Sequence, residues 1–279
     1  YGDHRDLHLS LRRQRQMCIR DSPYRGKFPL RSITIAPFPQ GRKPLLYLKR
    51  KTSVLSDIEE VYKALVLGTR DYILKNKFQK VVVGLSGGVD SSLTCVIACD
   101  AIGRENVTGV AMPSVYSSQE SLEDAMHLAR NLGIHLEIVS IKEVVEEYQR
   151  LFKEHFGMVK EITLQNIQAR IRGNILMAFS NNFGWIVLTT GNKSETSVGY
   201  CTLYGDTAGG FAVLKDVPKT LVYKLCRWRN RVAGKYLIPE RVLVKPPSAE
   251  LRYGQRDEDE IGSYNTLDRI INLFIEKNT

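Results

Sequence analysis

Residues 80–92 read K-V-V-V-G-L-S-G-G-V-D-S-S, and the predicted fold follows from this stretch. Its three consecutive valines, with no charge between them, predict a strand that is buried on both faces of a parallel sheet. The chain then turns on two glycines. From Asp90 onward, apolar residues recur at helical spacing until Gly103, where the helix is expected to end. A strand, a glycine turn and a helix start in this order predict an anion-binding site.

The glycine turn is suited to phosphate groups. Glycines let backbone N–H groups approach an anion, and the start of a helix adds partial positive charge. No lysine closes the turn and no G-x-G-x-x-G pattern is present, which excludes the two most familiar nucleotide-binding motifs. Asp90 instead lies beside the expected phosphates and would repel them unless a cation such as Mg²⁺ lay between. A simple Gly-Gly turn before a helix is the alternative interpretation.

The formal charge of +10 is concentrated near the N-terminus. Residues 1–52 contain 13 of the 40 Lys/Arg and 3 of the 30 Asp/Glu, so the rest of the chain is neutral and argues against a nucleic-acid partner. Residues 1–52 have no helix or strand periodicity, and residues 11–22 resemble translated sequencing adaptor. We interpret 1–52 as an artefact, a linker or the remnant of a preceding domain, with a polyanion-binding tail as the alternative. One domain is expected over residues 53–279.

Cysteine usage and hydropathy indicate the compartment. The five cysteines form no C-x-x-C pair and no metal-type cluster, which is typical of a reducing environment. No apolar run reaches the roughly 18 residues of a membrane span, and the N-terminus shows no signal-like apolar region. We therefore expect a cytoplasmic protein without a membrane partner.

The remaining chain predicts alternating strands and helices. Strands are expected at Val107–Met112, Leu136–Ile141 and Trp185–Thr190. Helices are expected from Ser56 onward and at Ser118–Leu132, Glu143–Phe156 and Leu164–Phe183. This alternation predicts an α/β fold with a doubly wound, Rossmann-like parallel sheet and helices on both faces. Ligands of such sheets bind beyond the carboxyl ends of the strands, so residues 86–92, 112–118 and 190–195 should share one rim.

Charged residues at this rim are candidates for chemistry. Glu195 follows the fourth strand and is expected to face Asp90, so that the two carboxylates could hold Mg²⁺. Lys215 and Lys219 lie before and within a helix start, where they oppose the helix dipole unless an anion docks there. A capped helix start and solvated lysines are the alternatives.

A second candidate pair lies on a helix. Asn166 and Arg170 are four residues apart and share a face, so they could hold an amide or carboxylate and a phosphate of a second substrate. A solvated polar face is the alternative.

Six motifs occur in an order that resembles NAD⁺ synthetase. They are S-G-G-V-D-S-S, N-I-Q-A-R-I-R-G-N, T-T-G-N-K-S-E, Y-G-D-T-A-G-G-F, K-D-V-P-K-T and P-P-S-A-E-L-R. The resemblance runs from about Asp57 to the C-terminus and is closest to the synthetase domain of the glutamine-dependent enzymes. It implies the fold of the ATP pyrophosphatases, which cleave ATP between the α and β phosphates.

The resemblance implies an ATP-dependent amidation. In this family Mg-ATP adenylates the nicotinate carboxylate of deamido-NAD⁺ with release of pyrophosphate, and ammonia then displaces AMP to give NAD⁺. ATP and Mg²⁺ are thus the implied cofactors, and deamido-NAD⁺, ATP and ammonia the small-molecule partners. The resemblance also implies a homodimer and, in the full-length enzyme, a glutaminase domain that supplies the ammonia.

The resemblance assigns roles to individual residues. The implied ATP-binding residues are Gly84, Leu85, Ser86, Gly87, Gly88, Val89, Asp90, Ser91, Thr190, Lys219 and Ser248. Asp90 and Glu195 are the implied Mg²⁺ ligands, and Asp90, Lys219 and Thr190 the implied catalytic residues. Asn166, Arg170 and Glu195 match the positions around deamido-NAD⁺.

The sequence departs from the family pattern in two places. No glutaminase domain is present unless residues 23–52 are its remnant, and the chain stops at Thr279, where family members continue into a basic segment. We therefore expect a synthetase domain truncated at its C-terminus. The acidic run 257–260 is interpreted as mostly solvated surface. A GMP synthetase-like or tRNA-thiolating ATP pyrophosphatase, or a non-catalytic nucleotide-binding module, remains the alternative function.

Overall fold

The computed structural model describes residues 55–277, so the interpretation of residues 1–52 concerns a segment outside the described residues. Within the described range, one parallel sheet has the strand order β3-β2-β1-β4-β5. The strands are β1 Val81–Gly84, β2 Val107–Ala111, β3 His135–Ile138, β4 Ile186–Thr189 and β5 Phe211–Ala212.

Helices connect and cover these strands. They are α1 Asp57–Lys75, α2 Val89–Ile102, α3 Gln119–Leu132, α4 Lys142–Phe156, α5 Glu161–Phe183, α6 Lys193–Ser197, α7 Lys219–Ala233, α8 Glu240–Val244, α9 Asp257–Ile261 and α10 Tyr264–Ile271. In the part of the chain that the structure describes, no helix is long and apolar enough to cross a membrane.

The central strand shows why the sheet is covered on both faces. Val81 and Val83 pack into a core cluster with side chains of α1, α2 and α7, whereas Val82 packs into a second cluster with α4 and α5. Side chains of a strand alternate between the two faces, so an uninterrupted valine run needs an apolar layer on each side. The predicted doubly wound α/β fold is confirmed.

Element boundaries differ from the predictions where the sheet or a helix ends. The third strand stops at Ile138 instead of Ile141, because it is an edge strand and its register with β2 runs only from His135 to Ile138. Helix α5 starts at Glu161, three residues before the predicted Leu164. The two-residue strand β5 was not predicted, since it is too short to show periodicity.

The strand order locates the ligand-binding edge. From β1 the chain crosses to β2 on one side, while β4 pairs with the other side of β1. The loops after β1 and β4 therefore diverge at this point and leave a crevice at the carboxyl ends of the strands. Asp90 follows β1 and Glu195 follows β4, so the fold places both carboxylates beside the same crevice.

Candidate active site

A buried lysine joins the two predicted carboxylates. Lys219 Nζ lies 2.6 Å from Asp90 Oδ2 and 2.8 Å from Glu195 Oε1, and it donates a hydrogen bond to each. Only 3% of the Lys219 side chain is exposed, against 16% for Asp90 and 17% for Glu195. The structure thus brings Asp90, Glu195 and Lys219 together, as the predicted site requires.

Three short backbone segments position these side chains. Asp90 lies in the first turn of α2, directly after the glycine turn. Glu195 lies in the first turn of α6, whose N-cap Asn192 accepts a hydrogen bond from the Glu195 N–H at 3.0 Å. Lys219 is the first residue of α7. All three groups therefore project from helix N-termini at the carboxyl edge of the sheet.

Charge and burial act against each other in this cluster. Burial alone would lower the pKa of the Lys219 ammonium, but the Asp90 and Glu195 carboxylates outweigh it and raise that pKa well above its ordinary value. Burial, reinforced by the negative charge of Asp90, raises the pKa of Glu195, and Lys219 opposes this rise. Two carboxylates with one ammonium form a site with a residual affinity for a further cation or proton.

The glycine turn is held by its own serines and by a neighbouring helix. Ser86 Oγ accepts a hydrogen bond from the Gly88 N–H at 3.2 Å and lies 3.2 Å from Ser91 Oγ. Gly87 has a φ of +74°, and a Cβ atom there would lie 2.1 Å from the Ser121 carbonyl oxygen. Only glycine fits both this backbone conformation and this close approach.

A cavity of about 450 Å³ opens above the cluster. It is lined by these predicted ATP-site residues: Gly84, Leu85, Ser86, Gly88, Val89, Asp90, Ser91, Thr190, Lys219 and Ser248. Glu195 and Asn166 also line it. Gly87 is not among the lining residues, because it faces the Ser121 carbonyl.

Two predicted residues lie away from this cavity. Arg170 is exposed, and its Nε donates to the Leu203 carbonyl at 3.2 Å. It lies one turn further along α5 than Asn166, which lines the cavity and accepts a hydrogen bond from Thr202 Oγ1 at 2.9 Å. Lys215 is also exposed and outside the lining, so of the two predicted lysines Lys219 is the one that lines the cavity.

The acidic run 257–260 contains one buried member, so its interpretation as surface was wrong for Asp257. Asp257 Oδ1 accepts hydrogen bonds from the Ala249 N–H at 3.0 Å and from Tyr200 Oη at 3.2 Å. Burial raises the pKa of Asp257, while Lys219 and the tyrosine donors act in the opposite direction. The other three members of the run are exposed, as predicted.

The NAD synthase family model matches residues 61–279 of this chain, which is most of its length. The chain belongs to the NAD synthase family. It is 59% identical over 220 residues to the glutamine-dependent NAD(+) synthetase of Thermotoga maritima, covering 78% of this chain and 38% of that protein. The Aquifex aeolicus enzyme of the same name is 57% identical over 221 residues, covering 79% and 39%. The chain thus spans about two fifths of these curated relatives.

Solved structures give the same family relationship. The glutamine-dependent NAD⁺ synthetase of Acinetobacter baumannii, in complex with ADP, superposes with a TM-score of 0.68 at 45% identity, covering 81% of this chain and 41% of that one. The NMN synthetase of Francisella tularensis superposes with a TM-score of 0.71 at 29% identity, covering 78% and 87%. These neighbours confirm the ATP pyrophosphatase type of fold for this NAD synthase family member.

Sequence reasoning missed several contacts within the candidate site. Asn192 Nδ2 donates to Asp90 Oδ1 at 2.9 Å, which holds that carboxylate towards Lys219. Tyr264 Oη lies 3.2 Å from both Glu195 Oε1 and Asp257 Oδ2. Asn192 was at least part of a quoted motif, whereas Tyr264 lies 69 residues from Glu195 and no sequence signal links the two.

A different arginine of α5, which was not predicted as a site residue, faces the cavity. Arg172 lines it, and its Nε donates to the Met112 carbonyl at 3.1 Å. Burial lowers the pKa of the Arg172 guanidinium to about 10, with the Glu250 carboxylate acting in the opposite direction. Helical spacing separates Arg172 from Arg170 by two residues, which places them on different faces of α5. The quoted motif contained both arginines, and only the tertiary structure distinguishes them.

Proposed function

We propose that this chain carries the synthetase activity that converts deamido-NAD⁺ into NAD⁺ with ATP, releasing AMP and pyrophosphate. The observation that carries the proposal is the meeting of Asp90, Glu195 and Lys219 beside the glycine turn, within one cavity. This arrangement supports phosphoryl chemistry, which depends on positioning and charge neutralisation more than on a covalent nucleophile of the protein.

The proposed reaction has two steps. An oxygen of the nicotinate carboxylate attacks the α-phosphorus of ATP, the bond to the β-phosphate oxygen breaks, and pyrophosphate leaves. Ammonia then attacks the activated carbonyl carbon, the bond to the AMP oxygen breaks, and a proton leaves the nitrogen. Lys219 donates hydrogen bonds to phosphate oxygens while negative charge accumulates on the leaving group, and Thr190 contributes a further hydroxyl at the same rim.

The carboxylates fit the proposed Mg²⁺. Asp90 and Glu195 share one ammonium, so two carboxylates face a single cationic group within the cluster. Mg²⁺ favours one or two carboxylates together with substrate phosphates. Among the described residues no group of three or more His, Cys, Asp or Glu could form an all-protein cage. Asp90 and Glu195 would hold Mg²⁺, which would supply charge neutralisation to the phosphate groups.

The rest of the cavity is proposed to hold the two nucleotides. Residues 84–91 and Ser248 are proposed to bind ATP in this cavity, which all of them except Gly87 line. Asn166 and Glu195 are proposed to contact deamido-NAD⁺ inside the cavity. Arg170 lies on the outer surface of α5, so it can contact this substrate only where the dinucleotide extends beyond the cavity.

The source of ammonia, the cellular location and the oligomeric state are also proposals. Ammonia is proposed to come from a glutaminase domain of the full-length protein, as in the relatives named glutamine-dependent. The location is proposed to be the cytoplasm. A homodimer is proposed to form through α5, which exposes Ile162, Met177 and Phe183.

The test is a product assay with the purified chain. ATP, Mg²⁺, ammonium chloride and deamido-NAD⁺ are supplied, and AMP, pyrophosphate and NAD⁺ are quantified. The proposal predicts that the three products form in equal amounts. The deamidated mononucleotide is assayed in parallel, because one structural neighbour is an NMN synthetase. Formation of ADP and phosphate, or no AMP in the presence of both substrates, would contradict the proposal.

The alternative functions receive no support. The family match is to NAD synthase, whereas a GMP synthetase-like or tRNA-thiolating enzyme would belong elsewhere among the ATP pyrophosphatases. A non-catalytic nucleotide-binding module has no use for the buried Asp90, Glu195 and Lys219 cluster, because taking charged groups out of water is costly even when they are paired, and such clusters occur mainly at functional sites.

A further inference from the structure

The start of helix α7 lacks a cap of its own. Its first residue is Lys219, and the N-cap residue is Pro218, whose side chain makes no capping hydrogen bond. The first N–H groups of a helix have no partner within the helix and need an acceptor from elsewhere. For a helix that begins with a buried lysine of the candidate active site, this acceptor also determines where the lysine lies.

Two side chains from distant elements supply the missing acceptors. The Lys219 N–H donates to Ser194 Oγ at 2.8 Å, and the Thr220 N–H donates to Asp268 Oδ2 at 2.9 Å. Ser194 Oγ in turn donates to Asp268 Oδ1. Asp268 therefore satisfies one backbone donor directly and orients the hydroxyl that satisfies the other. Its negative charge also suits a helix N-terminus.

Helix α10, which carries Asp268, also contacts the Asp90, Glu195 and Lys219 cluster through Tyr264. Asp268 and Tyr264 are four residues apart on α10 and share a face. Tyr264 Oη lies 3.2 Å from Glu195 Oε1, and the Lys219 Nζ lies 5.0 Å from the centre of the Tyr264 ring. Helix α10 thus reaches Lys219 by two routes: Asp268 bonds Ser194 and the Thr220 N–H at the start of α7, and Tyr264 lies beside the Lys219 ammonium and bonds its partner Glu195.

We propose that Asp268 is the positioning residue that fixes the start of α7, and with it the Lys219 ammonium, by completing the helix cap through Ser194 and Thr220. Asp268 itself lines no part of the cavity and acts through Lys219. The kinetic consequence rests on the proposed function, whereas the structural consequence does not.

The structural test is amide hydrogen exchange measured by NMR on the full chain. Asp268→Ala removes the acceptor of the Thr220 N–H and the carboxylate that orients Ser194 Oγ, the acceptor of the Lys219 N–H. We therefore expect exchange at both amides to accelerate at least about tenfold. Asp268→Asn keeps the side-chain shape and one acceptor, and should give a smaller acceleration. Asp259→Asn removes an equal charge from an exposed position of the same C-terminal segment and should leave both amides unchanged.

The kinetic test separates positioning from general destabilisation. Asp268→Ala should lower kcat for NAD⁺ formation by roughly tenfold to a hundredfold, since small displacements of a catalytic group have effects of this size. In a Lys219→Ala background the same change should alter the single-turnover rate less than about twofold, because the residue through which Asp268 acts is gone. An unfolded or loosened domain would instead lower the rate by the same factor in both backgrounds.

The outcomes are decisive in each case. Unchanged exchange at Lys219 and Thr220 in Asp268→Ala overturns the proposal, and so does an equal kinetic effect in the presence and absence of Lys219. If the unaltered chain forms no NAD⁺ while the two amides respond as expected, the proposed function fails and the positioning of α7 by Asp268 is supported.

Discussion

Lys219 and Asp90 are 129 residues apart in the sequence, and the Lys219 Nζ lies 2.6 Å from Asp90 Oδ2. Glu195 completes the cluster from a third element, at 2.8 Å from the same Nζ. The ion pair is largely hidden from solvent, so each charge depends on the others for compensation. This dependence makes the cluster sensitive to single substitutions, in stability as well as in activity.

Replacing Lys219 by Met should destabilise the domain. The change leaves two buried carboxylates without their shared ammonium, and loss of one partner from a buried ion pair costs about 3–5 kcal/mol. Urea unfolding measures the effect. Lys215→Met removes an exposed lysine just before the same helix and is the matched control, which should change the free energy of unfolding by less than about 0.5 kcal/mol. Equal effects in both variants would contradict the assigned burial.

Asp90→Asn should abolish most turnover while the fold remains. The amide preserves the shape of the side chain but removes the negative charge proposed to face Mg²⁺, so NAD⁺ formation should fall by about 10²-fold or more. Product assays across a range of Mg²⁺ concentrations provide the measurement. Asp259→Asn, an exposed change of equal charge, is the control. Activity within threefold of the parent in Asp90→Asn would refute a role for that carboxylate.

Gly87→Ala should disrupt the turn more than its backbone angle alone explains. Gly87 and Gly157 have similar positive φ values of +74° and +76°, but only Gly87 approaches a neighbouring backbone, and nothing lies within 4 Å of a Cβ atom at Gly157. Gly157→Ala should therefore lower the free energy of unfolding by about 1–2 kcal/mol, because alanine is strained in the left-handed conformation.

The same comparison links the turn to nucleotide binding. Gly87→Ala should cost at least about 2 kcal/mol more than Gly157→Ala, because the new methyl group overlaps the Ser121 carbonyl oxygen. ATP affinity, measured by calorimetry, should weaken in Gly87→Ala and stay unchanged in Gly157→Ala. Equal unfolding free energies for the two variants would show that the close approach to Ser121 is absent in solution.

The pKa of the Glu195 carboxyl group should lie above its ordinary value of 4.5, because burial and then the Asp90 charge raise it. A carboxyl group with a raised pKa in the folded state binds its proton there before it does so in the unfolded chain. Lowering the pH from 7 towards the ordinary carboxyl value of 4.5 should therefore stabilise the parent protein relative to Glu195→Gln. Over the same range NAD⁺ formation should fall, since protonated Glu195 no longer faces the proposed cation.

Carbon-13 NMR of the Glu195 carboxyl group measures this pKa, with Glu195→Gln to assign the signal. Lys219→Met should raise the pKa further, because the ammonium is the main group that lowers it. A pKa at or below 4.5 in the parent, or a fall in the pKa in Lys219→Met, would contradict the geometry of the cluster.

Asn166→Ala should raise the KM for deamido-NAD⁺ more than Arg170→Ala does. Asn166 lines the cavity and its carboxamide is oriented by Thr202, whereas the Arg170 guanidinium is exposed and bonds a backbone carbonyl. Loss of one hydrogen bond to a bound substrate corresponds to about 1–3 kcal/mol, or roughly tenfold to a hundredfold in KM. A larger effect at Arg170 would mean that the substrate extends across the outer surface of α5.

Local sequence patterns predicted most of the fold correctly. The valine run of β1, the glycine after α2 and the serine N-cap of α3 act on their own neighbours, so their effects can be read within a few residues. The limits of the edge strand β3 were predicted less well and the two-residue β5 was not predicted, because both depend on pairing with β2 and β4. The prediction that the acidic run is exposed was wrong at Asp257 for a similar reason, since its partners Tyr200 and Ala249 come from other segments.

The sequence alone determined the chemical groups available at the carboxyl edge of the sheet. The glycine turn, Asp90, Glu195 and Lys219 could be recognised because short motifs specify turns, caps and residue types. The tertiary structure alone decided which groups touch. It placed Arg172 in the cavity and Arg170 outside it, and it brought Tyr264 and Asp268 against Glu195 and the start of α7. The physical reason is that such contacts arise from the packing of helices distant in the chain, and no local periodicity encodes that packing.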